Sequence, residues 1–178
     1  AGAAEGLLRS LASEALGAAR DVDQLRALWN TLDANDRRDP LVAARAARRM
    51  ADLGAPQEAR QWIAPLWDQI GRLTVEQATA LATALRHALL DLEAEWLPRL
   101  DATTQAALRN PHLALALGMA LAERQLWGKA RGMLLSAAND LDLDADGRLD
   151  NMAFVGVLST MLLHGQFVRP TKPALEPA

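Results

Sequence analysis

The hydrophobic and polar positions of this chain follow a helical period in most of its segments up to residue 168. Apolar residues recur three and four apart in run after run, which lays them on one face of a helix with about 3.6 residues per turn. The ends of these runs are marked. Asp39-Pro40 and Asn110-Pro111 each set a capping side chain before a proline at the first helical position, where the missing N–H costs no hydrogen bond. Asp21 with Gln24, and Thr74 with Gln77, have the spacing of a capping box. Gly54 followed by Pro56, then Gly71 and Gly165, close apolar runs as helix stops. These signals predict helices over residues 5–19, 22–32, 40–53, 56–70, 75–90, 91–100, 111–124, 127–140 and 149–164. The intervening segments are short, so successive helices are expected to be antiparallel neighbours. Pro170, Pro173 and Pro177 end regular structure, which predicts a helical domain over residues 1–168 and a mobile tail over 169–178.

Composition supports the helical pattern. Hydrophobic residues make up 51% of the 178, yet aromatics are only 4% and Tyr is absent, so the apolar content rests on Ala and Leu. Those are helix formers, and the β-branched and aromatic residues that fill a sheet are scarce. A net charge of −3, from 19 basic and 22 acidic residues spread along the chain, provides no field to attract nucleic acid or an anionic membrane. With no Cys, disulfides and thiolate metal sites are excluded. The stretch 151–168 lacks charge and is long enough for a membrane span, but Asn151, Ser159, Thr160, His164 and Gln166 favour a buried helix. The chain opens on Ala1-Gly2 without a Met or a signal-like segment, so its start is expected to be a boundary inside a longer protein.

A shift of 71 residues brings Pro40 onto Pro111, and small and apolar positions then coincide: Ala47 with Gly118, Met50 with Leu121, Ala59 with Ala130, Ile63 with Leu134. This is a repeated helical hairpin with small residues where two helices approach closely. The series Leu117, Gly118, Leu121, Ala130, Leu134, Ala137, with Trp127 opening the second helix, resembles the tetratricopeptide repeat. Gln125 stands where that repeat has a turn Gly, and Asp142 where it has a closing Pro. A further start at Val157, Leu158, Met161, Gly165 and Phe167 resembles another first helix, although Pro170 occupies a position its partner helix would need. The fold expected is therefore all-α, a right-handed superhelical array of antiparallel hairpins.

The string Gln125-Leu126-Trp127-Gly128-Lys129-Ala130-Arg131, the apolar run Leu113 to Leu121, and Leu28-Trp29 and Trp96-Leu97-Pro98 upstream resemble the HemY family of proteobacterial haem-biosynthesis-associated tetratricopeptide proteins. The resemblance implies a non-catalytic scaffold without a cofactor, joined to the inner membrane by N-terminal spans missing here. It implies a soluble domain on the cytoplasmic side and a protein partner of the haem pathway or inner membrane. An unrelated flavin-dependent protoporphyrinogen oxidase shares the family's name, but this chain has no Gly-rich dinucleotide fingerprint.

Candidate chemistry is sparse. Asp142, Asp144, Asp146 and Gly147 have EF-hand loop spacing, but Ala153 stands where the bidentate Glu is needed, which favours a solvated acidic loop. His87, His112 and His164 are far apart and form no ligand motif. Glu93 and Glu95 diverge on a helix and read as solvent-facing. The five tryptophans, at 29, 62, 67, 96 and 127, sit among Leu and Ala and read as core. Arg45, Arg48 and Arg49 share a helix face, with Arg37, Arg38 and Arg60 nearby in sequence, and read as a solvated face or a match for a partner's carboxylates or phosphates. In the tetratricopeptide register the first helix of each hairpin lines the concave surface, and the resemblance puts Arg48, His112, Leu115, Met119, Glu123, Val155 and Ser159 there. Such a mixture suits a groove for an amphipathic or extended partner segment. The alternative is a tetrapyrrole-binding or tetrapyrrole-modifying protein using the same hollow, with His112 as axial ligand.

Overall fold

The computed structural model describes residues 2–141. The expected helix over 149–164, the acidic loop, the tail and the boundary at 168 lie outside the described residues. Among the described residues every regular element is helical, so the fold is all-α. In chain order these are α1 (Gly2–Ala18), α2 (Val22–Thr31), α3 (Ala34–Arg37), α4 (Pro40–Asp52), α5 (Pro56–Trp67), a 3-10 turn (Ile70–Arg72), α6 (Val75–His87), α7 (Trp96–Ala102), α8 (Thr104–Ala107), α9 (Pro111–Glu123) and α10 (Trp127–Asp140).

Capping chemistry sets the starts. Asp39 Oδ1 accepts from the N–H groups of Leu41 and Val42, and Asn110 Oδ1 from those of His112 and Leu113. Thr74 and Gln77 form a reciprocal capping box at α6. Asp21 accepts from the Gln24 N–H, but the Gln24 side chain reaches back to the N–H of Arg20 rather than to Asp21 itself. The helix expected over 56–70 ends at Trp67 and gives way to the 3-10 turn.

The expected start at Asp91 is displaced to Trp96. The cause is Arg60, on α5 and only 1% exposed, whose guanidinium donates to the carbonyls of Ala88, Leu90 and Asp91. Carbonyls committed to that fork hold the segment in a turn, with Asp91 at φ 53°. Glu93 closes the arrangement by accepting from Arg60 Nε at 2.7 Å, so it is an ion-pair partner and not simply a solvent-facing carboxylate. Desolvation pushes the Glu93 carboxyl up, but its hydrogen bond and charge pairing with Arg60, together with a backbone hydrogen bond, leave it below the ordinary range.

Three helices of equal length are evenly spaced along the chain. Helices α4, α6 and α9 each have 13 residues and begin at 40, 75 and 111, offsets of 35 and 36. Helix α4 packs on α1, α5 and α6, and α6 packs in turn on α9, which pairs with α10. At the α9–α10 crossing a Cβ on Gly118 would lie 2.6 Å from Leu134 Cδ2, so the absence of a side chain sets how closely the helices approach. The turns match as well. Gly54 at φ 90° and Gln125 at φ 58° occupy the same left-handed position after α4 and α9, each followed by an N–H that bonds five residues back, Ala55 to Met50 and Leu126 to Leu121. Trp29 of α2 stacks on Trp62 of α5 at 4.5 Å, and Trp67 of α5 meets Trp96 of α7 edge-on at 5.8 Å.

Candidate functional site

The offsets of 35 and 36 residues align the surfaces of α4, α6 and α9 position by position. Leu41, Arg45, Arg48 and Asp52 of α4 are exposed at spacings of four, three and four residues, which form one stripe along the helix. Their counterparts are Glu76, Ala80, Thr83 and His87 on α6, and His112, Ala116, Met119 and Glu123 on α9. Ala116 is buried, while the other seven are exposed or half-buried. His87 Nδ1 lies 2.8 Å from Asp52 Oδ1, a contact between equivalent positions that joins the α4 stripe to the α6 stripe.

Four of the residues expected to line a partner groove, Arg48, His112, Met119 and Glu123, fall on these stripes. Leu115 does not. It is 3% exposed and equivalent to Thr79, whose hydroxyl faces the next helix by accepting from Asn110 Nδ2 at 3.2 Å. Val155 and Ser159 lie outside the described residues. Arg48 is separated from the α9 residues by α6, which packs on both helices. Leu41, Asp52, Glu76, Thr83 and His87, which sequence reasoning left out, and Arg45, which it set on one face with Arg48 but not in the groove, follow from carrying the 71-residue shift through a helix at 75.

The basic end of the stripe is hollow. Gly17 of α1 with Arg45, Arg48, Arg49 and Asp52 of α4 line a cavity of about 240 Å³. Arg45 lies across the backbone of α1, where a Cβ on Gly17 would be 2.6 Å from its Nε. Arg49 Nε donates to the Ala19 carbonyl at 2.8 Å, which neutralises part of the negative end of α1. No acidic side chain of the described residues pairs with Arg45 or Arg48.

Compared with known proteins, the chain matches no family model, no curated protein and no solved structure.

A second, larger cavity of about 420 Å³ lies beside α5 and α7, lined by Arg60, Asp68, Glu93, Glu95, Trp96 and Arg99 among others. Most of its charges are already satisfied. Arg60 holds Glu93, while Arg99 Nε pairs with Asp68 at 3.0 Å and its guanidinium sits 5.5 Å from the Trp96 ring. His112 lines neither cavity. Among the described residues no three His, Cys, Asp or Glu side chains gather as metal ligands, and no helix is long and apolar enough to cross a membrane.

Proposed function

We propose that this chain is a tetratricopeptide-like scaffold that docks a protein partner across the aligned stripes of α4, α6 and α9. The observation that carries the proposal is the Asp52–His87 contact between equivalent positions of neighbouring helices, which makes two stripes one continuous surface. A surface built of Leu41, Arg48, Thr83, Met119 and Glu123 combines apolar anchors with charges of both signs. That mixture suits a partner helix or extended segment better than it suits bond-making chemistry, which needs an activated nucleophile or a base within reach of one. Met119 supplies an adaptable apolar contact and Arg48 selects for charge. The resemblance to the HemY family suggests that the partner belongs to the haem pathway or the inner membrane.

The test is crosslinking and capture from the native host with the full-length protein, beside variants Arg48→Glu and Met119→Glu whose helicity is checked by circular dichroism. The proposal expects at least one specific partner to be lost in both variants with the fold intact. An unchanged partner set in both would refute it.

A further inference from the structure

The hollow between α1 and α4 gives the proposed docking surface a chemical preference. Three guanidiniums, from Arg45, Arg48 and Arg49, line it against one carboxylate, Asp52, which is already engaged by His87. Elsewhere among the described residues Arg9 is held by Asp36, Arg26 by Glu58, Arg99 by Asp68 and Lys129 by Asp101, while other arginines without an acidic partner, such as Arg72, Arg109 and Arg131, line neither cavity. In a chain of net charge −3 this hollow is a concentrated positive spot. Its arginines are also arranged before anything binds. Gly17 lets Arg45 rest on α1, Arg49 is tied to the Ala19 carbonyl, and Arg48 stands one turn from Arg45 on the exposed stripe.

We infer that this hollow receives an acidic helical segment of a protein partner, with two carboxylates one turn apart pairing with Arg45 and Arg48. The inference rests on the docking reading above and names the chemistry of the occupant. Side chains three or four residues apart on a helix are about 5–6 Å from each other, so carboxylates at that spacing on a partner helix match arginines at that spacing on α4. Guanidinium favours this pairing because its fork can take a carboxylate through two parallel hydrogen bonds. Leu41, 39% exposed and one further turn along the same stripe, offers a contact for an apolar residue beyond the acidic pair. A lone phosphate fits less well, because Arg45 and Arg48 are strung along a helix and Arg49 is spent on a backbone carbonyl.

The probe is a fluorescein-labelled amphipathic peptide bearing glutamates one helical turn apart and a leucine one turn beyond, measured by anisotropy beside its glutamine counterpart. The full chain should bind the glutamate peptide, more weakly at high salt, and the double variant Arg45→Glu/Arg48→Glu should bind about tenfold more weakly. Arg131→Glu, an exposed site on α10, should leave binding unchanged. Equal binding of the glutamine peptide, equal loss with Arg131→Glu, or no binding of the glutamate peptide would overturn the inference. So would tight binding of inorganic phosphate, or of phosphatidylglycerol vesicles, by a chain that ignores the peptide. The partner-capture experiment separates this inference from the reading beneath it. A partner kept by Arg45→Glu/Arg48→Glu but lost by Met119→Glu removes the acidic-segment inference and leaves the docking surface standing, whereas a partner kept by both removes both.

Discussion

Adding one methyl group at Gly118 tests the helix crossing on which the α9–α10 hairpin depends. On an exposed helix Gly→Ala stabilises by about 0.8–1 kcal/mol, because Ala loses less backbone entropy on folding. Here the new Cβ would sit 2.6 Å from both Cδ2 and Cγ of Leu134 and 3.2 Å from the Leu134 backbone N. Carbon atoms in contact prefer about 3.5–4.0 Å, so the methyl intrudes by roughly 1 Å. Leu134 is 0% exposed and has no solvent to move into, and the nearby backbone N opposes a simple closing of the gap by a rotamer change alone. Overpacking of this kind costs about 1–3 kcal/mol. An intrusion of roughly 1 Å against a residue that cannot retreat falls in the upper part of that range, about 2–3 kcal/mol, and less the helix gain of about 1 kcal/mol Gly118→Ala lowers stability by about 1–2 kcal/mol. Urea unfolding followed by circular dichroism would show this as a lower midpoint at unchanged slope. The decisive control is the same substitution in a Leu134→Ala background, where the obstruction is gone and Gly118→Ala should stabilise by about 1 kcal/mol. A Gly118→Ala variant as stable as the parent, or an equal loss in the Leu134→Ala background, would refute the close-approach argument.

Gln125→Gly should stabilise the chain by about 1 kcal/mol, since a non-glycine residue pays about 1–2 kcal/mol for the left-handed conformation, while Gly54→Ala at the equivalent turn should cost a comparable amount; thermal unfolding of both variants checks the pair. Arg60→Met leaves three carbonyls and Glu93 without their buried partner and should cost about 3–5 kcal/mol in urea unfolding, and a loss below about 1 kcal/mol would contradict the role given to that guanidinium. Glu58 is held below the ordinary carboxyl range by its hydrogen bond to Arg26, against desolvation, and Glu93 is also held low, so both pairings stabilise the fold fully above the unfolded glutamate pKa of about 4.3 and lose that contribution as pH falls through the lower folded values. The stability gap between the parent and Glu93→Gln, measured by urea unfolding along a pH series, should therefore close as pH drops below about 4.

Much of the helical frame was legible because its signals are local. A cap and a proline at Pro40 and Pro111, or a cap and a reciprocal Gln at Thr74, act within one turn and do not depend on what packs nearby. The start of α7 was not legible, because Arg60 lies about thirty residues before the carbonyls it captures and no local rule anticipates that bond. Helix α3 is a single turn capped by Asp33, too short to show a period. The repeat was found from its outer members, which share Pro at the first position and small residues at the crossing. The similarly spaced α6 lacks the proline, since it opens on Thr74-Val75, and is followed by the short helices α7 and α8. On α9 the exposed stripe could not be phased from hydropathy, because Leu113 to Gly118 and Ala120 to Ala122 are all buried and the helix is apolar nearly all round. The tetratricopeptide register implied by the resemblance puts Leu115 on a surface from which it is buried, and comparison with Thr79 gives the phase seen in the structure.

The distribution of polar contacts separates structural charges from those available for binding. Arg26–Glu58, Arg60–Glu93, Arg99–Asp68, Lys129–Asp101 and His87–Asp52 each join residues 28 to 35 apart, close to one helix-pair interval, so they tie successive pairs together. The exposed pairs among these add little stability singly, unlike the buried Arg60 pairing, but each favours one alignment of neighbouring helices over others. Arg49 belongs to the same class through its bond to the Ala19 carbonyl, thirty residues earlier. Arg45 and Arg48 do not, although they share its helix and its cavity. Substituting Arg48 is therefore expected to leave the helix alignment intact, because no ion pair between successive helix pairs passes through it, whereas Arg45 also packs across Gly17 of α1. The external carboxylate proposed above would give these two charges the acidic partner that the described residues do not supply.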